Sequence, residues 1–130
     1  MIVVDASAMI EVLLNTSAGS VVARRLSTGN ETLHAPHLLD LEIMQVLRRY
    51  TLAGALEPVR GRQALEDLAE MPVARYAHDL FLPRIWELRH NVTAYDAAYV
   101  ALAEALAAPL LTRDAALASA AGHHVQIELI

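Results

Sequence analysis

Four acidic residues have the types and positions that metal-dependent chemistry requires. Asp5 and Asp114 each come just after a short apolar run. Asp96 lies three residues after Thr93, at the start of an alanine-rich stretch. Glu42 lies within a long stretch that has apolar residues at helical spacing. The four are far apart in the chain, so only the fold could bring them together.

A cluster of carboxylates needs a counter-charge. Two carboxylates about 4 Å apart repel each other by roughly 4 kcal/mol at an effective dielectric constant near 20, which corresponds to about three pKa units. Either a proton is shared between them or a cation is bound. The chain has no lysine and few arginines next to these acids, so a divalent ion is the natural partner. All-oxygen ligation favours Mg²⁺ or Mn²⁺, which activate water in phosphoryl and phosphodiester chemistry.

Each acid also has a purely structural explanation. Asp5 and Asp114 could cap the helices that follow them, because aspartate is a favourable N-cap residue. Asp96 has the spacing of a capping box with Thr93, although that box prefers Glu or Gln. Taken singly, each structural explanation is at least as good as a catalytic one. Taken together, the structural explanations are weaker, because the sheet predicted below would bring three of the four acids to one crevice, and helix capping does not account for that.

Glu42 is the least obvious member of the set. At 100° per residue its side chain falls at the flank of the apolar face of its helix, on the opposite side from Asp40. This position favours the core boundary for Glu42 and a solvated first turn for Asp40. The alternative is that Glu42 is an exposed residue paired with Arg49 on the same side.

The elements that must position these acids alternate between strand and helix. β-branched or apolar runs predict strands, and apolar residues at helical spacing predict helices. The predicted strands are 2–4, 32–35, 73–77, 109–112 and 124–129, and the predicted helices are 6–15, 19–27, 37–53, 58–71, 80–90, 94–107 and 115–121. This order favours an α/β fold with a parallel central sheet and helices on both faces. In such sheets ligands bind beyond the carboxyl ends of the strands, so three of the four acids should point into one crevice.

Length and composition are typical of one folded domain spanning residues 1–130. Hydrophobic residues make up 55% of the chain and charged residues 19%, which is enough apolar material for a core. There is no cysteine, which excludes disulfides, thiolate zinc sites and cysteine nucleophiles. The N-terminus has no basic region and acids interrupt its apolar stretch, so we expect neither a signal peptide nor a membrane span, and a cytoplasmic location.

The charge balance counts against a nucleic-acid binder. The net charge is −5, and phosphate contacts normally supply most of the affinity for nucleic acid. Acids concentrated at one metal site, with arginines around it, would offset this. The pairs Arg24/Arg25, Arg48/Arg49 and Arg60/Arg62 are candidate clusters, although solvated helix faces explain each pair equally simply.

Other signatures of catalytic sites are missing. The six histidines are scattered and form no ligand set. The chain has no HExxH, no GxSxG and no phosphate-binding glycine loop. The carboxylates are therefore the main candidates for chemistry.

Four segments resemble those that carry the four acids of PIN domains. They are 3–8, 38–48, 93–103 and 110–114, and they follow the same order and spacing over nearly the whole chain. Their local sequences are similar to those of VapC-type toxins from bacterial toxin–antitoxin pairs. A single segment would be weak support, whereas four in order are specific.

The resemblance implies an Mg²⁺- or Mn²⁺-dependent endoribonuclease that hydrolyses RNA phosphodiester bonds with metal-activated water. Its catalytic residues and metal ligands would be Asp5, Glu42, Asp96 and Asp114. Ser7 and Thr112 match positions where hydroxyls support the site, and Asn91 is expected to border the crevice. Alanines follow Asp114 where some relatives carry a further acid, so no fifth ligand is assigned. The resemblance also implies a homodimer, and a cognate antitoxin that occupies the active site.

Three other functions are compatible with an aspartate at the end of the first strand. A phosphatase of the haloacid dehalogenase type needs a second aspartate where this chain has Ser7, and it needs a lysine. A signalling receiver also needs a lysine, which the chain lacks. A PIN-like domain that binds metal or a partner without catalysis is the remaining alternative, and the complete set of four acids argues against it.

Overall fold

Five parallel strands form the central sheet, in the order β3-β2-β1-β4-β5. The computed structural model describes all residues from Met1 to Ile130. The strands are β1 (Ile2–Val4), β2 (Leu33–Pro36), β3 (Val73–Tyr76), β4 (Leu110–Thr112) and β5 (Ile127–Leu129). Val3 lies opposite both His34 of β2 and Leu110 of β4. Because β1 and β4 are parallel neighbours, their carboxyl ends lie at the same edge of the sheet.

Seven α-helices follow or connect the strands. They are α1 (Ala6–Leu13), α2 (Ser17–Thr28), α3 (Leu38–Leu52), α4 (Pro58–Glu70), α5 (Leu82–Glu87), α6 (Ala94–Leu106) and α7 (Ala115–Ala118). A single 3-10 turn, Asp79–Phe81, precedes α5. Four helices begin with a side-chain cap, in which Asp5, Thr16, Thr93 or Asp114 accepts a backbone amide of the first turn. The predicted α/β fold with a parallel sheet is confirmed.

The core covers both faces of the sheet. Ile2, Val3 and Val4 are all fully buried, although successive side chains of a strand point to opposite faces. Helix α6 contacts β1, β2 and β4, and its residues 97–103 are buried without interruption. A helix surrounded in this way has little freedom to move, so its first turn is held firmly near the ends of the central strands.

Three predicted elements are shorter in the structure. The predicted helix 80–90 is a 3-10 turn followed by the six-residue α5, in which Pro83 lies at the start and cannot continue an earlier ladder of hydrogen bonds. The predicted strand 124–129 is reduced to β5, because its partner β4 has only three residues with which to pair. The predicted helix 115–121 ends at Ala118, since Leu117 is its only buried residue.

The ends of the N-terminal helices also differ from the prediction. Helix α1 stops at Leu13, and Asn15 takes a left-handed conformation with φ of 53°. Helix α2 begins two residues earlier than predicted, because the Thr16 hydroxyl accepts the Gly19 amide at 3.0 Å. A Cβ on Gly19 would lie 2.1 Å from the Glu11 carbonyl oxygen, so glycine allows the two helices to meet closely.

No single helix is both long and apolar enough to cross a membrane. Only α1 and α2 counted together reach the length and hydropathy of a span, and the two helices meet at an angle of 107°. Most of α1 is buried against the rest of the protein.

Candidate active site

Asp5 is a buried carboxylate that accepts hydrogen bonds on both of its oxygens. It is 5% exposed and follows β1 directly. Its Oδ1 accepts the Ser7 hydroxyl at 2.6 Å and the Ala8 amide at 3.1 Å, so it caps α1. Its Oδ2 accepts the Thr112 hydroxyl at 2.6 Å. The structural explanation of Asp5 as a helix cap is therefore correct, and it uses only one of the two carboxylate oxygens.

Two hydroxyl groups connect the ends of β1 and β4. The oxygens of Ser7 and Thr112 lie 3.3 Å apart, and each donates to a different oxygen of Asp5. The Arg113 amide donates to the Ser7 hydroxyl, and the Asp114 amide donates to the Thr112 hydroxyl. Thr112 is fully buried. Both predicted supporting hydroxyls thus contact the first acid directly and fix the loop that carries the fourth.

Asp114 caps α7 with one oxygen and leaves the other without a protein partner. Its Oδ1 accepts the amides of Ala116 at 2.8 Å and Leu117 at 3.3 Å. No protein group donates to its Oδ2. As with Asp5, the structural explanation is correct, and it leaves one oxygen available to a ligand.

Glu42 is held by a tyrosine from another helix. The hydroxyl of Tyr99, a fully buried side chain on α6, donates to Glu42 Oε1 at 2.7 Å. The alternative pairing of Glu42 with Arg49 is wrong, since no ion pair forms between them. Glu42 is partly buried, as its position at the flank of the apolar face predicts.

Asp96 lies in the first turn of α6 and faces an open cleft. The Thr93 hydroxyl accepts the Asp96 amide at 3.1 Å and caps the helix. Asp96 and Asn91 line the same cleft, which has a volume of about 450 Å³. Asn91 lies against the turn at Gly122, where a Cβ would be 2.9 Å from the Asn91 Oδ1. Of the four acids only Asp96 lines this cleft, so a role of Asn91 at the border of the acidic site stays a prediction.

Three of the four acids have raised pKa values, and the causes link all four. Burial is the largest cause for the raised pKa of Asp5, against which its hydrogen bonds act. Burial also raises the pKa of Glu42; the Tyr99 hydroxyl lowers it. The charges of Asp5 and Asp96 raise the Glu42 pKa further. The pKa of Asp96 is raised by burial, and then by the charges of Asp114 and Asp5. The four carboxylates therefore repel one another within one site.

No arginine neutralises this site. The carboxylates that pair with arginine are Glu11, Glu31, Asp40, Glu87, Glu104 and Glu128. Arg113, next to Asp114 in the chain, pairs with Glu11 on α1. Asp40 lies in the first turn of α3 with its side chain 41% exposed, as expected, and it is also paired with an arginine. Arg75 binds both of its carboxylate oxygens, because β3 lies beside β2 and brings Arg75 to the start of α3.

The donor set fits a hard divalent cation by its chemistry. It consists of carboxylate oxygens with raised pKa values and no protein cation, the combination in which an ion supplies the missing charge. No three acidic or histidine side chains are arranged to hold an ion as they stand. Binding would therefore require rotation of side chains, which Glu42 and Asp96 have most freedom to make, since both are partly buried and neither caps a helix.

Several surface expectations need correction or refinement. Leu80 and Leu82 lie in the predicted helix 80–90, but they do not form a core face, since they are 82% and 54% exposed. Arg25 forms ion pairs with Glu31 and Glu128, so it is not a free surface cation. None of the three arginine pairs singled out in the sequence lines the Asp96 cleft.

Two residues of the site were not identified from the sequence. Tyr99 is three residues after Asp96, so the two share a face of α6, and that spacing was the available signal. Arg89 lines the cleft with Asp96. It lies near the end of the predicted helix 80–90 and has no second arginine beside it, so it is not part of any of the arginine pairs.

Known proteins match this chain over most of its length. The PIN domain family matches residues 2–123. Ribonuclease VapC12 from Mycobacterium tuberculosis is 42% identical over 130 residues, which are 100% of this chain and 99% of that protein. Ribonuclease VapC1 from the same organism is 44% identical over 132 residues, covering 98% and 96% of the two chains. Ribonuclease VapC9 is 48% identical over 114 residues, covering 88% and 86%.

A solved structure has the same fold. The crystal structure of PAE2754 from Pyrobaculum aerophilum superposes with a TM-score of 0.71 over 97% of this chain and 81% of that one. Its sequence identity of 23% supports the fold alone. The family matches residues 2–123, and the three ribonucleases are 42 to 48% identical to this chain over most of their length. The chain therefore belongs to the PIN-domain family, within the group of VapC ribonucleases.

Proposed function

We propose that residues 1–130 form one endoribonuclease domain, a VapC-type toxin that hydrolyses RNA phosphodiester bonds. The observation that carries the proposal is the set of four mutually repelling carboxylates without a protein counter-charge, at the carboxyl edge of the sheet. Identity to proteins named as ribonucleases supports RNA as the substrate.

Asp5, Glu42, Asp96 and Asp114 would hold Mg²⁺ or Mn²⁺, and they are the residues that we assign to catalysis. A bound ion of this kind makes water a stronger nucleophile and offsets negative charge at the phosphate. Carboxylate ligands without nitrogen or sulfur favour such ions over zinc. The Oδ2 of Asp114 accepts no hydrogen bond from the protein and is available to such an ion.

The remaining residues of the site position these acids. Thr112 and Ser7 hold Asp5 between the ends of β1 and β4, so that it cannot turn away when a ligand approaches. Tyr99 holds Glu42 Oε1 and leaves Oε2 free. With the acids fixed, water attacks phosphorus in line and the 3′-oxygen leaves. Positioning of this kind reduces the entropy that the reaction must lose.

We assign three further properties to the protein on the strength of its family. A cognate antitoxin neutralises it by occupying the acidic site, the protein is a homodimer, and it acts in the cytoplasm. Exposed apolar side chains such as Leu41 and Met44 on α3, 71% and 46% exposed, supply surface for a protein partner. Light scattering on the purified chain measures the oligomeric state, and a monomer at micromolar concentration would exclude the homodimer.

Cleavage of structured RNA by the purified chain tests the enzymatic proposal. The assay is run with Mg²⁺, with Mn²⁺ and with EDTA, on the native chain and on Asp5→Asn and Asp96→Asn. Asp67→Asn on the exposed face of α4 is the matched control, because it removes the same charge outside the site. Cutting that requires metal, disappears in the two site variants and persists in the control is expected. Cutting by both site variants at the native rate would refute the assignment.

Metal binding without any cutting would favour the alternative. In that case the chain would be a PIN-like domain that binds metal or a protein partner without catalysis. Calorimetric titration with Mn²⁺, run on the same four proteins, separates this result from a loss of the metal site itself.

A further inference from the structure

The unusual surface beside the acidic site is an exposed tryptophan with an arginine stacked on it. Trp86, in α5, is 67% exposed, and it is the only tryptophan of the chain. The Arg89 guanidinium lies 4.6 Å from the centre of its ring, and the same side chain donates to the Trp86 carbonyl oxygen at 2.9 Å. We call these two residues the Trp86–Arg89 platform. An aromatic ring exposed to this degree is poorly explained by the stability of the fold, since it buries little area there.

The platform is continuous with the cleft that contains Asp96. Arg89 lines that cleft and also lines a second cleft of about 440 Å³ beside it, whose apolar wall includes Leu82, Ile85 and Trp86. Val92 and Thr93 line both clefts as well. A single strand bound across Arg89 would therefore have one nucleotide against the aromatic wall and the next phosphates toward Asp96.

Arg89 is the arginine at this site whose charge is free. Arg113, the other arginine near the acids, is neutralised by Glu11, and Arg84 on α5 is neutralised by Glu87 and Glu104. No carboxylate pairs with Arg89. An acidic protein that binds RNA needs such unpaired cations close to its active site.

We propose that the Trp86–Arg89 platform binds an unpaired nucleotide of the RNA substrate, its base stacked in the cleft lined by Trp86 and its phosphate on Arg89. The inference rests on the proposed ribonuclease function and adds to it a second contact outside the acids. A base must be unpaired to offer its face to an aromatic ring, so the platform selects loops or single strands over continuous duplex. Because every base has such a face, stacking tolerates sequence, and the platform fixes the strand without reading it.

Intrinsic fluorescence tests the proposal directly, because all tryptophan emission comes from Trp86. The native chain in EDTA is titrated with an unstructured RNA decamer containing all four bases, and with an abasic strand of equal phosphate number. We expect saturable quenching by the RNA and little by the abasic strand. Absence of EDTA-resistant binding together with absence of cleavage in Mg²⁺ would overturn both the platform and the proposed function.

The fluorescence anisotropy of labelled RNA, measured with variants of the protein, tests which residues make the contact. Trp86→Ala is expected to weaken binding about tenfold, within the range for loss of one stacked base, and Trp86→Phe to restore part of it. Arg89→Gln should make the dependence of log affinity on log salt shallower by about 0.7, as for one lost phosphate contact on a single strand. Arg24→Gln, an exposed arginine outside the clefts, is the matched control.

Two outcomes would overturn the platform while leaving the ribonuclease intact. In the first, Trp86→Ala and Arg89→Gln bind the decamer as tightly as the native chain does, and the native chain cleaves RNA in Mg²⁺. The other is a Trp86→Ala variant that changes oligomeric state by light scattering with unchanged RNA affinity, which would assign Trp86 to contact between copies of this chain.

Discussion

Asp96→Asn removes one of the four carboxylates while keeping the size of the side chain. The mutual repulsion of the acids predicts that this loss stabilises the metal-free protein. Because Asp96 is partly exposed, we take the repulsion as about 1 to 2 kcal/mol, reduced by solvent screening. Against it stands the loss of a negative charge from the first turn of α6, which costs about 0.3 to 1 kcal/mol. The net gain is about 1 kcal/mol, or about 3 to 5 °C in Tm for a chain of this size.

Bound Mn²⁺ should reverse the order of the melting temperatures of the native chain and Asp96→Asn. An ion at one hundred times its Kd stabilises the native chain by about 2.7 kcal/mol. If loss of one ligand raises the Kd tenfold, the gain of the variant at the same concentration is only about 1.4 kcal/mol. Asp96→Asn is thus expected to melt above the native chain in EDTA and below it in Mn²⁺.

Scanning calorimetry in EDTA and in a series of Mn²⁺ concentrations measures both effects. Asp67→Asn serves as the control, and its Tm should respond to Mn²⁺ as that of the native chain does. A variant Asp96→Asn that melts below the native chain in EDTA, yet keeps the full stabilisation by Mn²⁺, would show that the acids neither repel one another nor bind the ion together.

The same site gives three other predictions. The pKa of Asp96 is raised in the folded protein. Its contribution to the free energy of unfolding is therefore complete below about pH 4 and is lost as the pH rises through the raised pKa. In EDTA, the excess stability of Asp96→Asn over the native chain should therefore grow between about pH 4 and 7 in urea melts; a constant difference would refute the raised pKa. Thr112→Val leaves the buried Asp5 Oδ2 without its donor, so it should lower the unfolding free energy by about 1 to 3 kcal/mol and weaken Mn²⁺ binding, both measurable on one sample. Tyr99→Phe should weaken Mn²⁺ binding, measured by calorimetry. Tyr76→Phe is the control: it loses a part-buried hydrogen bond of 2.8 Å with His34, away from the acids, and should change stability alone.

Sequence pattern predicted the sheet and the acids at its edge because these depend on local features. A short apolar run followed by an aspartate gives a strand and then a helix cap, and both Asp5 and Asp114 occur in that context. Once the strands are known to be parallel, their carboxyl ends share an edge without further information. The place of Glu42 followed from helical geometry in the same way.

Contacts between distant segments could not be predicted in this way. Tyr99 reaches Glu42 across 57 positions of the chain, and Arg75 reaches Asp40 across 35. Which side chains meet depends on the order of the strands and on the packing of helices against them, and local sequence patterns do not give that order. The arginine pairs were poor predictors of a basic surface near the site for the same reason. Adjacent arginines in the sequence do not indicate which carboxylates will neutralise them in the fold.

The short α5 shows how a surface element escapes pattern analysis. None of its residues is fully buried, so the apolar spacing from Leu80 onward does not correspond to a core face. Apolar residues with another purpose, such as contact with a ligand, have the same spacing as those of a buried helix. Trp86 lies in this stretch, so the sequence pattern alone did not indicate that its side chain is exposed.

The double use of the two strand-end aspartates bears on how a mutational survey of this protein should be read. At positions 5 and 114 one carboxylate oxygen begins a helix, so replacement by alanine would lower the amount of folded protein in a cell as well as its activity. Positions 42 and 96 cap no helix, and their replacement would leave abundance intact while activity disappears. A survey that scores growth alone would place all four in one class. Paired with a measurement of protein abundance, it would separate the two acids that also cap helices from the two whose proposed role is in the reaction alone.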